Sequence, residues 1–154
     1  MQKNSIAIYG REFNASVIPY VEHLFAYLKE QNVVIYIHDD FYKFINQQCD
    51  CPKNLSVFHN HVDLPQDIAF LSLGGDGTML SAVSMIRDSG IPIAGINFGR
   101  LGFLATIHKE EITEALDLIF ARDFTLQPRA LLQVTSETGE SIFGEDNFAL
   151  NDIT

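Results

Sequence analysis

An open, mostly parallel Rossmann-like α/β sheet with helices on both faces, followed by the start of a β-rich second domain, is the fold class this sequence predicts. Three observations carry that prediction. Short β-branched or aromatic runs alternate with apolar stripes at helical spacing over the first 122 residues. Two of those runs, 67–73 and 91–97, are nearly continuous in apolar residues, as strands buried on both faces of a parallel sheet must be. After Asp123 the helical stripes cease and only strand-like segments remain. The boundary therefore falls between an α/β domain at 1–124 and the opening strands of a second domain at 125–154.

In chain order, residues 5–9 form a short strand that ends at Gly10. Val17, Val21, Leu24 and Leu28, spaced four, three and four apart, mark the buried face of a helix. Asn14 or Ser16 is suited to cap it, and Pro19 fits because it falls in the first turn. A second strand follows at 33–37, a short helix at 41–46 and a weaker strand at 55–58. His59 and His61, two apart, would face opposite ways if extended, which favours a solvated loop over a ligand pair. Met79, Val83 and Ile86 mark the next helix, with Gly90 placed to end it. Residues 109–122 read as an amphipathic helix with Ile112, Ala115, Leu116 and Ile119 inward. Beyond it, 126–136 and 142–154 read as strands joined by a turn at 137–140.

Composition narrows the function. With 47% hydrophobic and 19% charged residues, the 154-residue chain suits a globular domain. Its apolar runs are far shorter than the ~20 residues needed to cross a bilayer, so no membrane partner is expected. Residues 1–10 carry no export-signal pattern, and a cytoplasmic address follows by default. The net charge of −10 argues against a nucleic-acid partner, because phosphate contacts need clustered Lys and Arg. Cys49 and Cys51 lack the partner ligands of a zinc site and read as reduced thiols in a turn; no metal-binding residues are assigned.

The chemistry concentrates at Gly74-Gly75-Asp76-Gly77-Thr78. Glycines at the carboxyl end of a buried strand admit a ligand close to the backbone. The helix that follows aims free N–H groups and its positive end at the same spot, which favours phosphate. Asp76 is out of place in a simple phosphate cradle. It would bind a Mg²⁺ bridging to phosphates, accept a proton from an attacking hydroxyl, or merely cap the next helix. The pattern is neither the Walker loop nor the G-x-G-x-x-G fingerprint.

The Gly-Gly-Asp-Gly-Thr turn resembles one shared by NAD kinases, diacylglycerol- and sphingosine-type lipid kinases and, in shorter form, phosphofructokinases. Two further blocks separate these families. Asn97-Phe98-Gly99-Arg100-Leu101-Gly102-Phe103-Leu104-Ala105 resembles the second block of NAD kinases, and Ala149-Leu150-Asn151-Asp152 resembles the Asn-Glu/Asp block that opens their β-rich domain. Arg129-Ala130-Leu131-Leu132-Gln133-Val134 is similar to the strand between them. In lipid kinases the Asn-Glu pair follows the glycine turn within a few residues, whereas here it lies in the next domain.

The resemblance to NAD kinases implies phosphorylation of the adenosine 2′-hydroxyl of NAD, with NAD and ATP or polyphosphate as partners and Mg²⁺ or another divalent cation accompanying the donor. It implies Asp76 as the base. Gly74, Gly75 and Thr78 belong to the glycine loop that would position phosphates. Gly77, Leu80 and Phe103 would line the NAD site, Asn151 and Asp152 would bind adenine and ribose, and Arg100 is a candidate phosphate contact. It further implies a homodimer or homotetramer, and a parent longer than this chain, so that these residues alone would be weakly active or inactive. The alternatives are a lipid kinase of the diacylglycerol type and an inactive α/β domain that only binds nucleotide or self-associates.

Overall fold

Strands buried on both faces need apolar side chains on both, and the first strand has them: β1 (Ser5–Gly10) buries Ile6, Ala7, Ile8 and Tyr9 in succession. The computed structural model describes residues 4–100, 102–136 and 147–150. Within them, α1 (Ile18–Glu30) follows β1, then β2 (Val34–His38), α2 (Asp39–Ile45), β3 (Leu55–Phe58), β4 (Ala69–Leu73), α3 (Asp76–Ile86), β5 (Ile93–Asn97), β6 (Ile107–His108) and α4 (Ile112–Ala121).

The six strands form one parallel sheet in the order β3-β2-β1-β4-β5-β6. The chain builds outward from β1 to β3, returns to the centre, and builds outward again on the other side. β1 and β4 are therefore neighbours whose following loops diverge, which opens a crevice at their carboxyl ends.

Alternation along each strand sends side chains to two cores. One face carries Ile6, Ile8, Ile35, Ile37, Leu71, Leu73 and Ile96 beneath α1, α2 and α4, through Val21, Leu24, Leu28, Phe41, Ile45, Ile112 and Leu116. The other carries Ala7, Tyr9, Phe58 and Phe70 against Ala82 and Ile86 of α3. Helices thus cover both faces. All four positions of the first helical stripe are buried, and Pro19 falls in the first turn of α1. Among the described residues no helix is long and apolar enough to cross a membrane.

Several local expectations need correction. Neither Asn14 nor Ser16 caps α1: Ala15–Val17 forms a 3-10 turn that feeds directly into the helix, so the first free N–H groups are taken up by tighter backbone bonding. α3 ends at Ile86 with Arg87 at φ 50°, before Gly90, whose own φ is 74°. The helix expected from 109 starts with a 3-10 turn, Lys109–Glu111, where the Glu111 carboxylate accepts from the His108 N–H. His61 is not simply solvated, since its Nδ1 lies 3.0 Å from the Met85 carbonyl.

The strand expected over 126–136 shrinks to β7 (Leu132–Gln133), which pairs antiparallel with β8 (Phe148–Ala149). Residues 123–131, before β7, belong to no helix or strand and have no strand paired with them among the described residues, and a segment without a partner gains no ladder bonds. The pair rests on α3, where the Ser84 hydroxyl donates to the Phe148 carbonyl at 3.4 Å. The expected turn at 137–140 lies outside the described residues.

Gly10 sits at the carboxyl end of β1, where an added Cβ would lie 2.6 Å from the Phe41 ring. Gly10→Ala should therefore cost about 1–3 kcal/mol through overpacking, and Leu24→Ala about 2–5 kcal/mol through the cavity it leaves. Urea denaturation followed by circular dichroism reads both.

Candidate active site

The crevice between β1 and β4 is the concave feature nearest the predicted residues. It is a cleft of about 290 Å³ walled by Arg11, Phe13 and Asn14 after β1, by Gly74, Gly75 and Thr78 after β4, and by Phe98 after β5. Gly74 has φ 153°, outside the range open to a side chain, and a Cβ there would collide with the Thr78 hydroxyl. Gly75 then turns the chain into α3, and the N–H groups of Thr78 and Met79 close the first turn onto its carbonyl at 3.0 and 3.1 Å. The positive end of an 11-residue helix faces this edge of the sheet.

Asp76 is the first residue of α3, but its carboxylate reaches away from its own helix. Oδ2 accepts from the Phe103 N–H at 2.8 Å, and Oδ1 accepts from Leu104 and Ala105 at 3.0 Å each. These three bonds favour the ionised form and hold the carboxyl below its ordinary value of 3.8. Gly102 makes the approach possible, because a Cβ there would overlap the carboxylate.

The segment so held is fixed from two more directions. A Cβ on Gly95 of β5 would lie 2.7 Å from the Ala105 Cα, so only glycine lets this segment seat on the strand. Asn97, 3% exposed at the end of β5, donates to the carbonyls of Arg100 at 2.9 Å and Ala105 at 3.3 Å and accepts from the Gly99 N–H at 2.8 Å. A buried amide with those partners is satisfied rather than free for a ligand.

The predicted residues thus separate. Gly74, Gly75 and Thr78 line the cleft, whereas Asp76, between them in the chain, turns its carboxylate to the Phe103–Ala105 backbone, and Gly77 has open space where a side chain would be. Phe103 is 95% exposed at the tip of the turn that Asp76 holds. Leu80 is half-buried on α3. Arg100 is exposed, and its carbonyl rather than its guanidinium does the bonding described above. Asn151 and Asp152 lie outside the described residues. Sequence reasoning passed over Arg11 and Asn14, which need the strand order to reach Gly74. It also passed over the structural work of Gly95, Asn97 and Gly102. The Arg11 guanidinium donates to the Ser81 hydroxyl of α3 at 2.5 Å, so a cation stands at the rim of the cleft.

The sequence profile of the ATP-NAD kinase N-terminal domain matches residues 6–124, spanning the cleft and all of the six-stranded sheet except Ser5. The chain belongs to the NAD kinase family. An NAD kinase of Cytophaga hutchinsonii is 39% identical over 148 residues, 95% of this chain and 50% of that protein. One of Flavobacterium psychrophilum is 37% identical over 150 residues, 97% of this chain and 51% of its own length. The chain therefore spans about half the length of these NAD kinases. Among solved structures, a yeast NADH kinase crystallised with NADH superposes with a TM-score of 0.66 at 19% identity, over 85% of this chain and 42% of that one. That likeness concerns the fold.

Because the native Asp76 carboxyl titrates below its ordinary value, the bonds of its ionised form contribute in full above pH ~4 and are lost as the pH falls through the lower native value. Amide hydrogen exchange should show Phe103, Leu104 and Ala105 protected from neutrality down to about pH 4 and losing protection below it. In Asp76→Asn this acid limb should vanish.

Proposed function

We propose that the complete protein phosphorylates the 2′-hydroxyl of the adenosine ribose of NAD, with ATP or polyphosphate as donor, giving NADP. The observation that carries this reading is the glycine turn at the β1/β4 crevice, with Asp76 at its centre and a helix start behind it, in a chain of the NAD kinase family. The site is then shared between the domain at 1–124 and a β-rich domain that begins at 125.

In this reading the donor's phosphates lie against Gly74, Gly75 and Thr78 at the start of α3, whose positive end compensates their charge, and Gly77 lines the NAD site with Leu80 and Phe103. The dinucleotide lies over Leu80 and Phe103, with adenine and ribose met by Asn151 and Asp152, and Arg100 near a phosphate. A divalent cation accompanying the donor would neutralise charge on the phosphates. Among the described residues no three His, Cys, Asp or Glu side chains gather as a cage, and Asp76 already accepts three N–H groups, so the phosphates themselves would be its main ligands.

The depressed pKa shapes what Asp76 does. A carboxylate offers about four acceptor positions, and three are taken here, two of them on Oδ1. The position left on Oδ2 accepts the hydrogen of the attacking 2′-hydroxyl. A weakly basic carboxylate suffices if transfer passes through a loose transition state, in which the hydroxyl needs orientation more than early deprotonation. The active protein would be a cytoplasmic homodimer or homotetramer.

The test is NADP formation by the complete protein from NAD, ATP and Mg²⁺. Asp76→Asn should lower kcat by about 10²–10⁴. Absence of NAD phosphorylation by the unaltered protein would reject the function, and full turnover by Asp76→Asn would reject the role of Asp76.

A further inference from the structure

We infer that Asp76 and Gly102 together form a latch that positions the Phe103 ring, so that the acidic residue of the glycine turn sets the aromatic wall of the site as well as meeting the reacting hydroxyl. The second task rests on contacts within the chain; only its consequence for dinucleotide binding depends on the function proposed above.

Phe103 is 95% exposed, the most exposed of the large hydrophobic residues among the described part of the chain. No packing around the ring fixes its position, so its placement has to come from its backbone. The backbone N–H groups of Phe103, Leu104 and Ala105, successive along the chain, converge on one carboxylate 27 to 29 residues earlier. Three N–H groups bound to a single charged acceptor fix the direction of the turn, and with it the Cα–Cβ direction of Phe103. Asn97 and Gly95 secure the far side of the turn at Ala105 but make no described contact to the Phe103 N–H.

Gly102 is the complementary half of the latch. The carboxylate occupies the space its Cβ would take, so any side chain there has to displace Asp76 or the turn. This explains a glycine whose φ is not in the left-handed region, where a backbone-conformation argument would give no reason for one. An exposed aromatic ring held on a fixed turn beside a phosphate-suited helix start is matched to a flat heteroaromatic ring attached to phosphates, which is the chemistry of an adenine dinucleotide.

Two variants in the complete protein separate this inference from a purely chemical role of Asp76. Gly102→Ala retains the carboxylate but fills its berth; Asp76→Asn retains the berth but loses the charge. In both, amide exchange at Phe103, Leu104 and Ala105 should accelerate about ten- to a hundredfold, while amides in β4 and β5 keep their protection, which reports an intact fold. In kinetics with NAD and ATP, Gly102→Ala should raise KM for NAD at least about tenfold with a smaller change in kcat, as expected when a binding surface is lost. Unchanged exchange at the three amides in Asp76→Asn would overturn the latch and leave the reading of Asp76 as hydroxyl acceptor standing. Accelerated exchange in a protein that does not phosphorylate NAD would support the latch and reject the function. Accelerated exchange in Gly102→Ala with an unchanged KM would overturn the link between the latch and dinucleotide binding.

Discussion

Everything at the site depends on the pairing of β1 with β4. β4 hydrogen-bonds to β1 from Ile6↔Ala69 to Gly10↔Leu73, although 58 or more residues lie between them. That ladder brings the loop after Gly10 against the loop after Leu73 and makes the cleft. Because both strands are parallel and central, their ends are covered on both sides by helices, and the loops are held by a buried core rather than by their own contacts. The base of the glycine turn is tied to the sheet, with the Gly74 N–H donating to the Ile96 carbonyl at 2.9 Å.

A second layer of order is polar. Asn97 is almost fully buried and has its donors and acceptor engaged, and Asp76 is bound to three N–H groups. Between them they hold residues 98–100 and 102–105, which have no helix or strand of their own among the described residues. Such segments cannot bury enough apolar area to order themselves, and charge-assisted bonds supply what packing does not. Glycine contributes by absence: at positions 95 and 102 the missing side chain is where a neighbour sits. The two glycine-bearing blocks that mark the family are thus one physical unit, joined through a carboxylate.

The alternating architecture was legible before any coordinates, since period and apolar continuity report burial directly. β3 falls on the residues the sequence indicates, and β4, β5 and α1 lie within a few residues of theirs. What failed was local and weakly encoded. The start of α1, the end of α3 and the short reach of β7 are decided by backbone bonding and by which strand happens to lie alongside. The expected helix caps failed for the same reason: a 3-10 turn can satisfy the N–H groups that a side chain would otherwise cap.

The sequence by itself determined the α/β class, the position of the phosphate-suited turn and the prominence of Asp76, because strand burial, glycine placement and a helix start are each written into a few adjacent residues. It could not determine what Asp76 binds, because its partners are backbone N–H groups, which every residue but proline has and no sequence pattern marks. Nor could it determine the strand order that sets Arg11 opposite Thr78, since long-range pairing follows from how the whole sheet buries its two faces. Only the tertiary structure decided those points, and they turn a list of candidate residues into a cleft at the β1/β4 edge with Asp76 bound to the backbone of 103–105.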